Sequence, residues 1–208
     1  MARLSNSSLI EGSAGKIQLV VDEPGQDAQA LAIICHPHTQ HGGTLSNKVV
    51  HQIARTFTAL NAVTVRFNFR GAGDSEGHYD SGVGEVDDLT RVVNWARNRW
   101  PGVPFWLAGF SFGAYVGLKA AKALAPDWLV SIAPPVNLYD FDSVCVKTPN
   151  WLLIQGSDDE IVPVSDVLAW AEGLQRQPQI EIVPEAGHFF HGRLNLIRDQ
   201  LMVNAPRF

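Results

Sequence analysis

A chain of 208 residues, 46% hydrophobic and 18% charged, can bury one sizeable core and is too short to suggest two, so residues 1–208 are read as a single domain. A formal net charge of −5 and a sequence pI near 5.7 leave no basic footprint, which excludes nucleic acid as the expected partner. Two cysteines, Cys35 and Cys145, are too few for a disulfide framework and lack metal-ligand spacing, a pattern that suits a reducing cytoplasm.

Met1 to Ile10 alternates polar and apolar residues without the apolar core of a secretory signal. Asn6-Ser7-Ser8 fits a glycosylation acceptor, but without such a signal it reads as an exposed terminus. No segment approaches the ~20 apolar residues that span a bilayer, so no membrane partner is expected.

Strand patterns then alternate with helical ones. Ile17 to Val21 and Leu31 to Cys35 read as strands, the second apolar on both faces and therefore central. Asn47 to Leu60 follows as a helix with Val50, Ile53, Ala54 and Phe57 on one side. Val63 to Phe69 is a strand, and Val83 to Trp100 a helix closed by Pro101 and Pro104. Val103 to Ala108 is the next strand, followed by a helix over Ala114 to Ala125. Trp128 to Ala133 and Trp151 to Gln155 are strands, Pro163 to Leu174 a helix, Ile180 to Val183 a strand, and a last helix follows His188. Such alternation implies an α/β fold, a mostly parallel central sheet with helices on both faces. Its chemistry belongs in the loops at the carboxyl ends of the strands.

One of those loops reads Gly109-Phe110-Ser111-Phe112-Gly113, a Gly-x-Ser-x-Gly pattern between a strand and a helix. A serine on so tight a turn stands clear of the surface, and the helix N-terminus adds partial positive charge where an oxyanion would form. Its hydroxyl needs a base to take the proton and a carboxylate to orient the base. After the strand Trp151 to Gln155 come Asp158, Asp159 and Glu160, and after Ile180 to Val183 come His188 and His191. Acid and histidine thus follow the serine in the required order, leaving three acids and two histidines to choose from.

On these residues the chain resembles an α/β-hydrolase over nearly its whole length. The elbow, Gly-x-x-Asp-x-x-Val-Pro over Gly156 to Pro163, Gly187-His188, and Phe69 to Ser75 are similar to what that superfamily places after successive strands. His36-Pro37-His38, Gly42-Gly43, Arg66 to Gly71, Ala108 to Ala114 and His188 to Gly192 resemble a compact, lidless bacterial group within it. The resemblance implies a triad of Ser111, Asp159 and His188, with Asp158 and Glu160 as solvated or helix-capping carboxylates and His191 further along the last helix. It implies an oxyanion hole made by the backbone N–H of Phe112 and one from the loop after Leu31 to Cys35. Pro37 has no N–H, and the superfamily's His-Gly-x pattern, with Pro37 in place of Gly, points to His38 rather than Thr39. Acyl transfer to water without cofactor or metal follows, with a small-molecule acyl ester as substrate and peptides or thioesters as alternatives. Only Ala133 to Asn150 separates the strand after the elbow from the next, so no lid domain is expected and the site is open, with Phe110, Phe112, Tyr139, Phe141, Phe189 and Phe190 as a shallow apolar wall.

Competing patterns are weaker. His36-Pro37-His38-Thr39-Gln40-His41 superficially resembles a metal-ligand cluster, but no acid stands among them and the serine triad would go unexplained. His36 reads as a strand-end histidine bonded to backbone, and His41 as a loop residue. Gly71-Ala72-Gly73 lacks the third glycine of a dinucleotide loop, and Gly12 to Lys16 is an incomplete phosphate loop. Cys35 is a buried small hydrophobe, and Glu85, Asp87 and Asp88 form an acidic first helical turn. A non-catalytic binding scaffold is the alternative from another class.

Overall fold

The structure, a computed structural model, describes residues 7–206, so Asn6 of the glycosylation pattern lies outside the described residues. Within them an eight-stranded sheet forms from β1 (Ser7–Glu11), β2 (Lys16–Asp22), β3 (Ala30–Cys35), β4 (Ala62–Phe67), β5 (Phe105–Phe110), β6 (Trp128–Ile132), β7 (Trp151–Gly156) and β8 (Gln179–Val183). Their order is β1-β2-β4-β3-β5-β6-β7-β8, with β1 and β2 antiparallel and the rest parallel. All six residues of β3, β4, β5 and β7 are buried, as strands covered on both faces must be.

Five α-helices cover the sheet: α1 (Lys48–Ala59), α2 (Val83–Arg99), α3 (Phe112–Leu124), α4 (Val164–Glu172) and α5 (Leu194–Val203). Val50, Ile53 and Phe57 of α1 pack with Ile197 and Leu201 of α5 against Ala32, Ile34, Ala108 and Val130. Alternate residues of the same strands, Leu31, Ile33 and Leu107, meet Leu89 and Val93 of α2 and Val116 of α3 on the opposite face. Val167 of α4 packs on Leu153. The period-two alternation of β3 and β5 therefore builds two cores, one on each face. Asn47 starts α1 by accepting the N–H of Val49 at 2.9 Å, a cap worth about 1 kcal/mol.

Among the boundaries that depart from the sequence expectation, three have a clear local cause. The N-terminal segment from Ser7 is a strand, hairpinned to β2 through Gly12 to Gly15, with Gly15 at φ 112°. This hairpin is what the incomplete phosphate-loop pattern encodes. β4 stops at Phe67 because the Asn68 amide bonds Gln18 and Leu45 through its side chain, while the Phe69 N–H turns to His36. The last helix begins only at Leu194, since residues 188–193 form turns with Phe190 and Gly192 at positive φ. Residues 133–150 connect β6 to β7 without helix or strand, which leaves no lid domain.

Candidate active site

Ser111 sits between β5 and α3 at φ 53°, ψ −121°, a conformation costing roughly 1–3 kcal/mol in a non-glycine residue. Its N–H donates to the Ile132 carbonyl at 2.8 Å, and its carbonyl accepts the N–H groups of Ala114 and Tyr115, so the turn is held from both sides. The flanking glycines follow from close approach. A Cβ on Gly109 would collide with the backbone of Gly113, and one on Gly113 with the carbonyls of Cys35 and His36. The elbow is thereby pressed onto the end of β3.

The loops after β7 and β8 are joined in the same way. The Asp158 N–H donates to the Ala186 carbonyl and the Ser157 N–H to that of Val183, both at 3.0 Å, and a Cβ on Gly156 would strike Ala186. That contact brings Asp159 to His188 and His188 to Ser111. His188 Nδ1 lies 2.9 Å from Asp159 Oδ2, and His188 Nε2 lies 3.0 Å from Ser111 Oγ. An ionised carboxylate can only accept, so Nδ1 carries the ring proton and Nε2 is left to accept the serine hydroxyl. His188 is 2% exposed and Asp159 6%, which shields the chain of hydrogen bonds from water.

Burial alone would raise the Asp159 pKa. Hydrogen bonds from His188 and from the Val162 and Ile161 N–H groups, together with attraction to the His188 ring, outweigh it and hold the carboxyl below its ordinary range. Those N–H groups donate to Oδ1 at 2.7 and 3.0 Å. Gln155 and Glu160 also touch the pair, and neither was singled out from the sequence in this role. Gln155 Nε2 donates to Asp159 Oδ2 at 2.9 Å, and Glu160 Oε2 accepts the His188 N–H at 3.1 Å. Glu160 is thus more than a solvated carboxylate, and it does not cap α4, which has no side-chain cap. Asp158 accepts the Ser157 hydroxyl. His191 lies in the turn beyond the site, exposed, rather than on a helix.

Phe112 opens α3, where a helix N–H has no intrahelical acceptor. Across from it, the His38 carbonyl accepts the N–H groups of His41 and Gly43 at 3.1 and 2.9 Å, which orients the loop after β3. The His38 ring lies 5.2 Å from that of Phe112 and stacks on His41 at 4.4 Å. Partial burial and the neighbouring His41 lower its pKa. His36 is fully buried, with Nδ1 donating to the Pro37 carbonyl and Nε2 accepting the Phe69 N–H. Both ring nitrogens are committed to backbone, as a strand-end role requires. No group of three metal-ligating side chains occurs among the described residues.

Of the expected apolar wall, Phe110, Phe112, Phe141 and Phe190 are core, while Tyr139 is half-buried and Phe189 is 42% exposed. Tyr79 and His38 join Tyr139 around Phe112 instead. Cys35 is buried, which pushes its thiol pKa up and leaves it inert. Only Glu85 of the acidic run sits in the first turn of α2, where it accepts the Gly82 N–H; Asp88 pairs with Arg70.

Comparison with known proteins gives the family of the chain. The family model described as serine aminopeptidase, S33, matches residues 26–140. A lidless α/β serine hydrolase from Xanthomonas campestris superposes with a TM-score of 0.91 at 43% identity, covering 96% of this chain and 94% of that one. An α/β serine hydrolase homologue from Coxiella burnetii gives 0.93 at 42% identity, covering 97% and 98%. An uncharacterised protein of Rickettsia prowazekii (strain Madrid E) is 31% identical over 189 residues, 86% of this chain and 79% of that protein. The chain belongs to the α/β serine hydrolases, in the family described as serine aminopeptidase, S33.

Proposed function

We propose that this hydrolase cleaves small acyl esters through an acyl-enzyme on Ser111. The observation that carries the reading is the hydrogen-bonded series Asp159–His188–Ser111, ending on a serine held at positive φ. His188 Nε2 takes the hydroxyl proton as Ser111 Oγ attacks the carbonyl carbon, and Asp159 stabilises the imidazolium that forms. The oxyanion is received by the N–H of Phe112 and that of His38, each such donor being worth about 3 kcal/mol to the transition state. Collapse of the tetrahedral species breaks the bond to the leaving alkoxide, which takes its proton from His188. Water, deprotonated by the same imidazole, then attacks the acyl carbon, and as the acyl C–O bond breaks the carboxylic acid departs while Ser111 Oγ takes its proton back from His188.

The short passage from β6 to β7 supports an open site, suited to a small acyl group rather than to a long chain that needs a deep, dry pocket. Neither metal nor cofactor enters the scheme. Unpaired Cys35 and Cys145 support a reducing, cytoplasmic setting, and no helix among the described residues is long and apolar enough to cross a membrane. A second reading, amide cleavage at a peptide N-terminus, is favoured by the description of the matched family and would use the same triad. A panel of nitrophenyl esters of graded length, acyl thioesters and aminoacyl amides tests the choice. Short esters should give the highest kcat/KM. A preference for aminoacyl amides would replace the esterase reading with the peptidase one.

A further inference from the structure

We propose that Gln155 is a positioning residue of the catalytic machinery, setting the orientation of the Asp159 carboxylate and through it the His188 ring; the proposal rests on the triad reading above. Gln155 lies in β7, fully buried, four residues before Asp159. Its Nε2 donates to Asp159 Oδ2 and to the Val162 carbonyl, both at 2.9 Å. A primary amide nitrogen has two protons, and both are thereby used. The reversed amide would set Oε1 against two acceptors, so the orientation is dictated by the partners. Oε1 has no hydrogen-bond partner among the described residues.

Asp159 has four acceptor positions, and each has a donor: Ile161 and Val162 N–H on Oδ1, Gln155 Nε2 and His188 Nδ1 on Oδ2. Three of the four come from the strand and loop that carry Asp159 itself. The fourth is the histidine to be oriented. Among the three, only Gln155 shares an oxygen with His188, so it fixes where on that oxygen the imidazole N–H can dock. The backbone donors restrain Oδ1 and leave rotation about the Oδ1 position open. Gln155 removes that freedom, and its Val162 bond keeps the amide itself from turning.

The test is a double-mutant cycle read by the rate of fluorophosphonate labelling and by kcat and KM on a short nitrophenyl ester. Gln155→Met keeps the length and apolar volume of the side chain and removes the donor. It should slow labelling and kcat about 10- to 100-fold while KM stays within about twofold, the pattern of misoriented chemistry rather than lost binding. In an Asp159→Ala background the same replacement should change either rate by less than about twofold, because its target is gone. An equal loss in both backgrounds would mark a merely structural residue and overturn the proposal, as would wild-type rates in folded Gln155→Met. Thermal melts establish folding, and if Gln155→Met does not fold, Gln155→Leu, which fills the site with apolar atoms and likewise has no donor for Asp159, should show the same loss. Failure of the wild-type protein to label at all would instead remove the triad reading, and this proposal with it.

Discussion

The His36 imidazole clasps the ends of two neighbouring strands: Nε2 accepts the Phe69 N–H at 2.9 Å just past β4, and Nδ1 donates to Pro37 just past β3. Burial lowers its pKa to about 4, with the Pro37 bond acting weakly the other way. The unfolded chain binds this proton near 6.5 and the folded chain only near 4. Between those values the unfolded state holds more protons, so stability is full above about pH 6.5 and declines by about 3 kcal/mol as the pH falls toward 4. Urea denaturation across that range should show the decline, and His36→Leu should flatten it. That variant should also lose about 1–3 kcal/mol at neutral pH, because the Phe69 N–H is left buried without an acceptor.

Arg70 and Asp88 provide a second anchor beneath the same loop. The guanidinium grips the carboxylate at 3.0 and 2.8 Å, and the Arg70 N–H adds a third bond at 3.0 Å. The Asp88 side chain is 1% exposed and that of Arg70 10%. Asp88→Ala should destabilise the fold by roughly 3–5 kcal/mol, since it strands a charge that nothing nearby replaces in full. Chemical denaturation measures this, and a loss under about 1 kcal/mol would mean that water reaches Arg70 freely.

Gly113→Ala should harm activity more than its size suggests. The new methyl would meet the carbonyls of Cys35 and His36, so the elbow and the loop bearing His38 must separate. A loss of about 1–3 kcal/mol in stability is expected, with a fall in kcat of at least about 100-fold as the two proposed oxyanion donors part. Circular dichroism melts and ester kinetics on the same preparation measure both.

Asp159→Asn should lower kcat by about 10,000-fold, because an amide can stabilise the wrong imidazole tautomer. His191→Ala, exposed in the neighbouring turn, should stay within about twofold of wild type. Steady-state kinetics on a short ester compare the two; the reverse ranking would exchange the roles given to the acid and the histidines.

Much of this architecture was legible because it is local. The serine elbow lies in five consecutive residues, and the alternation of apolar strands with helical patterns located β2 through β8 to within a few positions. Asp159 and His188 could be found because a parallel sheet gathers its strand ends at one edge, so chain order stood in for space. β1 is hard to place because four of its five residues are exposed, so the polar and apolar alternation over Met1 to Ile10 marks no buried face. The Arg70–Asp88 grip, the Gln155 bond to Asp159 and the Glu160 bond to the His188 N–H were invisible for another reason. Each depends on which way a polar side chain turns once two loops have met, and no spacing rule records that. The late start of α5 has a backbone cause instead: positive φ at Phe190 and Gly192 breaks a stretch whose composition reads as helix.

Ser111 as a nucleophile that His188 and Asp159 activate is the central proposal. Incubation of the purified protein with a fluorophosphonate, followed by mass spectrometry of its peptides, tests this directly. One adduct on Ser111, absent from folded Ser111→Ala together with ester turnover, is the predicted result. An unlabelled Ser111 in folded protein, or undiminished ester hydrolysis by Ser111→Ala, would contradict it.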